Sequence, residues 1–513
     1  LNGSELVVEA GATLTVTESV ESFEIPTEST ATPTIVVDGT LRFDVRDGGN
    51  PRIDWGLDAS GTVEQTSDAR FGGEVTFAGP ITDRGATYRA TAGTLSLAHQ
   101  TGAVTFGPAS RIEGASGAAV RLGGGPTRVE GELAVDSLVV SRALSSGETA
   151  VVVPSLSTVS IGHLTLSVTG GGRVTVEDAA PLTLASLSLD LNDRLELTGP
   201  LTVTGPLALG NRGASVWAPG GITVGGMLSW RGGTLEGGGT VTAAGGLATT
   251  GGAGSASNEK RLVGTRLVLP TGQTATMNGA YLYGLDGAEW VIEAGATATV
   301  LENYRAFYEP TESTAQPRVT LDGTLVIDIF NEDLIAFDWA LAGTGVFEVA
   351  SAALTRFRDP DCLTFPDGTI RLSGSLVLEG TQQCLDVAGG VLETIVGREA
   401  GGALAGQVVA SGTVSLAGTL RVLYAEGVTP AVNDFASIAQ TAAGLIALPD
   451  TVEAPDVEVA GLAASLAVDP TVEGDGTVAS LLVVDPTPPP GATPVAIQIS
   501  APRAWRRGRD LPV

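Results

Sequence analysis

Apolar and polar residues alternate along short runs throughout this chain. Leu14 and Val16 flank Thr15, and Leu41 and Phe43 flank Arg42. A period of two belongs to a strand with one buried face, whereas a helix returns its apolar residues every three or four positions. The runs are punctuated by EAGAT, DGT and Gly-Gly pairs, where Gly and Asp-Gly ease the backbone through a tight corner. The pattern predicts an all-β chain. Residues Ile222 to Gly246, ITVGGMLSWRGGTLEGGGTVTAAGG, show it most plainly as strand, glycine corner, strand, glycine corner.

Two periods lie over this alternation. Residues Leu1 to Ser67 align without a gap onto Leu285 to Ser351, a shift of 284, with 31 of 67 positions identical. Beneath it, Gly-Thr-aliphatic recurs at Gly39, Gly61, Gly93, Gly233, Gly323, Gly412 and Gly418, with a short step such as that from Gly39 to Gly61. Self-similarity at about 20 residues marks a repeat architecture in which each rung buries its apolar face only by stacking on its neighbours. The expected fold is a right-handed parallel β-solenoid (β-helix) with about 20-residue rungs and an internal 284-residue duplication. A chain of 513 residues is long for a single compact core, which repetition also answers.

Composition narrows the partners. The chain has 28 basic against 57 acidic residues, a net charge of −29, and Lys260 is its one lysine. Such a surface repels nucleic acid and confers solubility. It also leaves calcium as a candidate ligand of surface carboxylates, although the Gly-Gly-x-Gly-x-Asp series of calcium-binding rolls is missing. No apolar run is long enough to insert in a membrane. Because the sequence opens at Leu1 without a signal-peptide pattern, it is expected to be a processed or truncated piece of a larger protein.

The glycine-rich stretch from Val216 to Ser351, with WRGGTLEGGGTVTAAGGLATTGG followed by LVGTRLVLPTGQTATMNG, resembles the rungs of giant secreted bacterial repeat proteins and autotransporter-type passengers. Residues Val408 to Gly444 are similar to the segment that closes such solenoids. The family's Gly-Asp pair before an aromatic is replaced there by Val432-Asn433-Asp434-Phe435, so the glycine is absent. The resemblance implies display outside the cell, either secreted or on its surface. The expected organisation is a first solenoid unit over 1–284, a second over 285–407, a closing segment over 408–485, a Pro-rich linker over 486–494, and the start of a further β module or assembly tail over 495–513. The last of these resembles the opening of an immunoglobulin-like surface domain.

Candidate chemistry is sparse. Cys362 and Cys384, spaced by roughly one rung, would fall on adjacent rungs and suit either a disulfide or two unpaired buried thiols. His99 and His163 are too few for a zinc site, so no metal centre is expected. Asp38, Asp44 and Asp54 have counterparts at Asp322, Asp328 and Asp338, and Asp54-Trp55 recurs as Asp338-Trp339. Retention in both copies suits a rung corner or stacking contact, or alternatively a ligand site. Tyr281, Tyr283, Trp290, Tyr304, Phe307 and Tyr308 form the densest aromatic group, either a contact patch or an elaborated loop packed on the solenoid side. Arg503, Arg506, Arg507 and Arg509 form a basic cluster suited to an assembly tail or an ordinary strand and turn. The expected function is a secreted structural module without catalytic activity or cofactor: a stalk, filament protomer or adhesin shaft that self-associates or meets other surface proteins. The alternative is a β-helix that binds or cleaves polysaccharide.

Overall fold

The computed structural model describes residues 3–484 apart from 18–22, 26–29, 46–49, 68–72, 100–101, 142–148, 155–158, 168–171, 191, 252–258, 280, 302–306, 330–333, 351–353, 358–362, 366, 379–384, 388, 400–401, 411–412, 432–434, 442–444, 448, 461–462 and 473–475. It is nearly all parallel β-sheet, wound in turns of about 23 residues into a β-solenoid with almost no helix. The turns are longer than the Gly-Thr spacing suggests because some corners carry insertions. Ile35 stacks on Leu6 and Val319 on Trp290 across long turns, while Val241 stacks on Ile222 across a short one. The chain divides into two compact units: Leu1–Leu325 with Asp338–Ala342, and Val326–Phe337 with Gly343–Val513. This boundary falls inside the second copy of the duplication, and strand pairing runs unbroken through residue 285.

In the first unit each turn lays one strand on each of three faces. Strands Thr34–Val37, Thr40–Phe43 and Arg52–Ile53 form one turn, and Gly56–Ala59, Thr62–Gln65 and Glu74–Phe77 the next. They pair in parallel so that Ile35 meets Leu57, Leu41 meets Val63 and Ile53 meets Phe77. These inward residues are all buried, and the alternation seen in the sequence is this division between interior and solvent. The core stacks apolar side chains from rung to rung, as where the Phe43 and Phe77 rings meet edge to face at 5.6 Å. Between Arg111 and Leu166 the second and third faces merge. There the strands Arg111–Leu122, Glu132–Val140 and Val159–Leu166 run round the corner, with a register slip between Gly114 and Ala119.

The duplication is visible as repeated geometry. The Asp38 and Gly39 amides both donate to Val8 O, and the Asp322 and Gly323 amides to Ile292 O, all at 2.9 Å. Trp55 Nε1 donates to Glu24 O at 3.1 Å, and Trp339 Nε1 to Tyr308 O at 3.2 Å. The ring pairs Phe23–Trp55 and Phe307–Trp339 share an interplanar angle of 72°. The copies nevertheless occupy different faces. At about 23 residues per turn, the shift of 284 amounts to about twelve and one third turns. Strand Glu5–Val8 therefore lies on the first face and Glu289–Ile292 on the second.

The first face is held by two successive ladders, and Asp83 staples the step between them. Ile81–Asp83 ends the ladder begun by Glu5–Val8, and Val104–Phe106 begins the next. The Asp83 carboxylate accepts from the Gly107 amide at 3.1 Å, the Ala86 amide at 3.1 Å, the Gly85 amide at 3.3 Å, the Tyr88 hydroxyl at 3.3 Å and the Ser110 hydroxyl. Burial, and next the Asp83 charge, push the Tyr88 hydroxyl pKa above its usual range, keeping it a donor. Asp83→Ala leaves five donors without their acceptor and is expected to lower stability by about 2–4 kcal/mol. Thermal unfolding checks this, and a shift no larger than that of an exposed surface substitution would count against the staple.

In the second unit, Glu348, Arg371, Glu393, Arg421 and Glu453 stand in register on successive strands with alternating charge. Arg371 pairs with Glu393 and, at 3.2 Å, with Glu348; Arg421 pairs with Glu453 at 2.8 Å and with Glu393 at 3.5 Å. The hydrogen bonds that the guanidinium groups donate to these carboxylates, Arg371 to Glu393 foremost and Arg421 to Glu453 foremost, hold both guanidinium pKa values above their usual range. The parallel ladder ends differently from how it runs. Gly476–Val484 pairs antiparallel with both Phe435–Thr441 and Ala463–Val472, which covers a strand edge that would otherwise stay open.

Candidate functional site

The first face between Arg173 and Tyr308 gathers the aromatic and charged side chains that could meet a partner. Its strands Arg173–Val176, Arg194–Leu197, Ser215–Trp217, Gly233–Glu236, Lys260–Val263, Leu282–Leu285 and Phe307–Tyr308 stack in register. Alternation sends Val174, Leu195, Val216, Leu235 and Leu262 inward. Outward it sends two columns. One reads Arg173, Arg194, Ser215, Thr234, Arg261, Tyr283, Tyr308, and the other includes Glu196, Trp217 and Glu236.

Arginines engage the carboxylates of this face. Glu196 pairs with Arg173 and with Arg194, whose Nη1 reaches Glu236 Oε1 at 3.0 Å. Glu259 Oε2 pairs with Arg212 at 3.0 Å and Arg261 at 3.3 Å. Arg261 also stacks over the Tyr283 ring, 5.4 Å from its centroid. Tyr283 lies 5.8 Å from the Tyr281 ring and 5.1 Å from the Tyr308 ring, edge to face with the latter. Burial, then the charge of Glu259, raises the Tyr283 hydroxyl pKa, so it remains protonated at neutral pH.

Of the expected patch, Tyr281, Tyr283 and Tyr308 come together, each partly exposed. Trp290 does not join them, because alternation turns it inward: it is fully buried and stacks on Phe307 at 5.8 Å. Phe307 meets Trp339 in turn, beneath Gly284, where an added Cβ would fall 2.5 Å from the Trp339 ring. Tyr304, Cys362, Cys384, the linker 486–494, and Arg503, Arg506, Arg507 and Arg509 lie outside the described residues.

The duplicated aspartates sit at corners. Asp38 accepts from Ser60 Oγ at 2.6 Å and Arg84 Nη2 at 2.9 Å, and these two bonds, Ser60 first, hold its carboxyl below the usual range. Arg84 also reaches Asp58 at 2.5 Å. Asp54 accepts from Arg52 Nε at 2.9 Å while its amide donates to Phe23 O, and the Asp338 amide donates likewise to Phe307 O. Asp322 donates its amide at the corner matching Asp38. Among the described residues, no group of three His, Cys, Asp or Glu side chains could hold a metal ion. His99 is buried with Nε2 3.3 Å from Thr127 Oγ1, and His163 faces outward with Nδ1 2.7 Å from Ser186 Oγ.

Two features of the face carry little signal in the sequence. Trp217 is unremarkable there because its column partners Glu196 and Glu236 stand a full turn before and a full turn after it. The Arg-to-Glu steps of one rung, 42 to 64, 89 to 113, 173 to 196 and 371 to 393, are the signal that exposes the charge columns. The second is Lys260, which lies in the interior wall between Gly233 and Leu282, with Nζ 3.3 Å from Gly279 O. No helix among the described residues is long and apolar enough to cross a membrane. No protein-family model matches this chain, and no curated protein matches it significantly.

Proposed function

We propose that this protein is a secreted, non-catalytic scaffold of the bacterial cell surface, a stalk, filament protomer or adhesin shaft that displays its outer columns to partners. The observation that carries the reading is the in-register stacking of the solenoid, in which outer charges pair along the stack. Arg42 holds Glu64, Arg89 holds Glu113, and the arginines of the first face hold Glu196, Glu236 and Glu259. Individually such exposed pairs contribute little, roughly 0–1 kcal/mol each. Their role here is to offset the carboxylates of an acidic surface as it repeats from strand to strand.

A polysaccharide-cleaving solenoid would need one carboxyl free to give a proton to the leaving group and a second to attack or to activate water. On the aromatic face the carboxylates accept from guanidinium groups instead, which suits a recognition surface. From Glu5 to Glu289 the first unit rises by about 60 Å, given roughly 4.8 Å per strand spacing. Negative-stain electron microscopy of the protein is expected to show rods at least that long. Compact globules would overturn the scaffold reading. Surface labelling of the cells that produce it tests the location separately.

A further inference from the structure

We infer that Trp217 is the platform of a saccharide-binding subsite on the first face, and that its ligand is an uncharged polysaccharide lying along the solenoid. Trp217 points outward and is partly exposed, and its indole N–H has no hydrogen-bond partner among the described residues. Among the other described tryptophans, Trp55 donates to Glu24 O, Trp230 to Gly233 O and Trp339 to Tyr308 O, while Trp290 Nε1, inside the solenoid, has no partner among the described residues. A partly exposed indole presents an apolar face and a polar N–H edge together, the combination that recognition surfaces use.

The neighbours of Trp217 supply the polar half of such a site. In its column Glu196 stands one strand before it and Glu236 one strand after. Arg194 spans the gap, with Nε on Glu196 and Nη1 on Glu236 Oε1. Glu236 Oε2 has no ion pair among the described residues and remains an acceptor for a sugar hydroxyl, while the guanidinium offers donors beside the ring. A pyranose has the matching chemistry: C–H bonds on one face to lie against the indole, and equatorial hydroxyls to reach a carboxylate and a guanidinium at the rim.

The site continues along the stack. Tyr283 and Tyr308 lie on the same face three and four strands beyond Trp217, about 14 and 19 Å away at roughly 4.8 Å per strand. Strand spacing is close to the length of one pyranose unit, so an extended glycan can meet both ends of the strip. Charge selects the type of glycan. Near Trp217 the arginines and glutamates balance, whereas the chain as a whole carries −29 and repels a polyanion. An uncharged chain meets the aromatic strip without that penalty.

Affinity electrophoresis in native gels containing xylan or laminarin as uncharged probes, and polygalacturonate as the acidic one, tests the inference. Wild-type protein is expected to be retarded by at least one uncharged glycan and not by polygalacturonate. Trp217→Ala should weaken retardation at least tenfold, Tyr308→Ala severalfold, and Glu236→Gln to an intermediate degree. Trp217→Leu, which keeps an apolar side chain at the position, is expected to behave as Trp217→Ala, so a folding defect in either variant does not decide the matter. The inference is overturned if neither xylan nor laminarin retards the wild type, if both Trp217 variants are retarded like the wild type, or if polygalacturonate alone binds. Rods in the microscope without glycan retention would leave the scaffold standing and remove only this site.

Discussion

Gly39→Ala and Gly323→Ala are each expected to destabilise the first unit by about 3 kcal/mol, within the range of backbone-strain and overpacking effects. The two glycines are the same corner in the two copies. At Gly39 an added Cβ would lie 2.2 Å from Glu9 O and 2.4 Å from Ala12 O; at Gly323 it would lie 2.4 Å from both Glu293 O and Ala296 O. The obstructing atoms are backbone carbonyls already held in hydrogen bonds, Glu9 O and Glu293 O within their own corner and Ala12 O and Ala296 O between rungs, so no side chain can swing away and the rungs themselves must part. Gly11 provides the contrast. Its φ is +81°, but nothing lies within 4 Å of its Cβ direction, so Gly11→Ala costs only the strain of the left-handed conformation, about 1 kcal/mol. Thermal melting of the three variants side by side tests this. Equal effects at all three positions would mean that conformational freedom, rather than close approach of successive rungs, selects glycine at the corners.

Lys260→Met is expected to stabilise the protein by about 1–3 kcal/mol at pH 7, and the gain should fade as the pH rises from 8 to 10.5. Lys260 is fully buried, and burial pushes its pKa from 10.5 down to about 8. Above pH 10.5 the ammonium is deprotonated in both folded and unfolded chains and costs nothing. Between 10.5 and 8 the unfolded chain binds the proton first, so stability falls as the pH falls; below 8 both states carry it and the full penalty stands. Wild-type stability should therefore rise through this window relative to the variant. A wild-type-to-variant difference that stays constant from pH 7 to pH 11 would show that the buried ammonium carries no such penalty.

The alternation at Leu14, Leu41 and Phe43 and the corners at Gly39 and Gly61 were legible in the sequence because they are local. A strand must have a period of two, and a tight corner must accommodate close backbone. The duplication was legible because it repeats the same local solutions, down to Trp55 and Trp339. Which aromatic side chains face water was less so. Trp290 lies among exposed-looking tyrosines in the sequence but occupies an inward position. Trp217 has no aromatic neighbour in sequence and stands on the outer face between two glutamates.

By itself, then, the chain determined its strands, its corners and its stacking, since each depends on residues within one or two rungs. The tertiary structure decided which residues share a face, because that depends on the summed length of every intervening corner. A few inserted residues rotate all that follows. The two copies therefore end one face out of phase, and the charge columns and the Trp217 strip exist only where those lengths bring residues of successive turns into register.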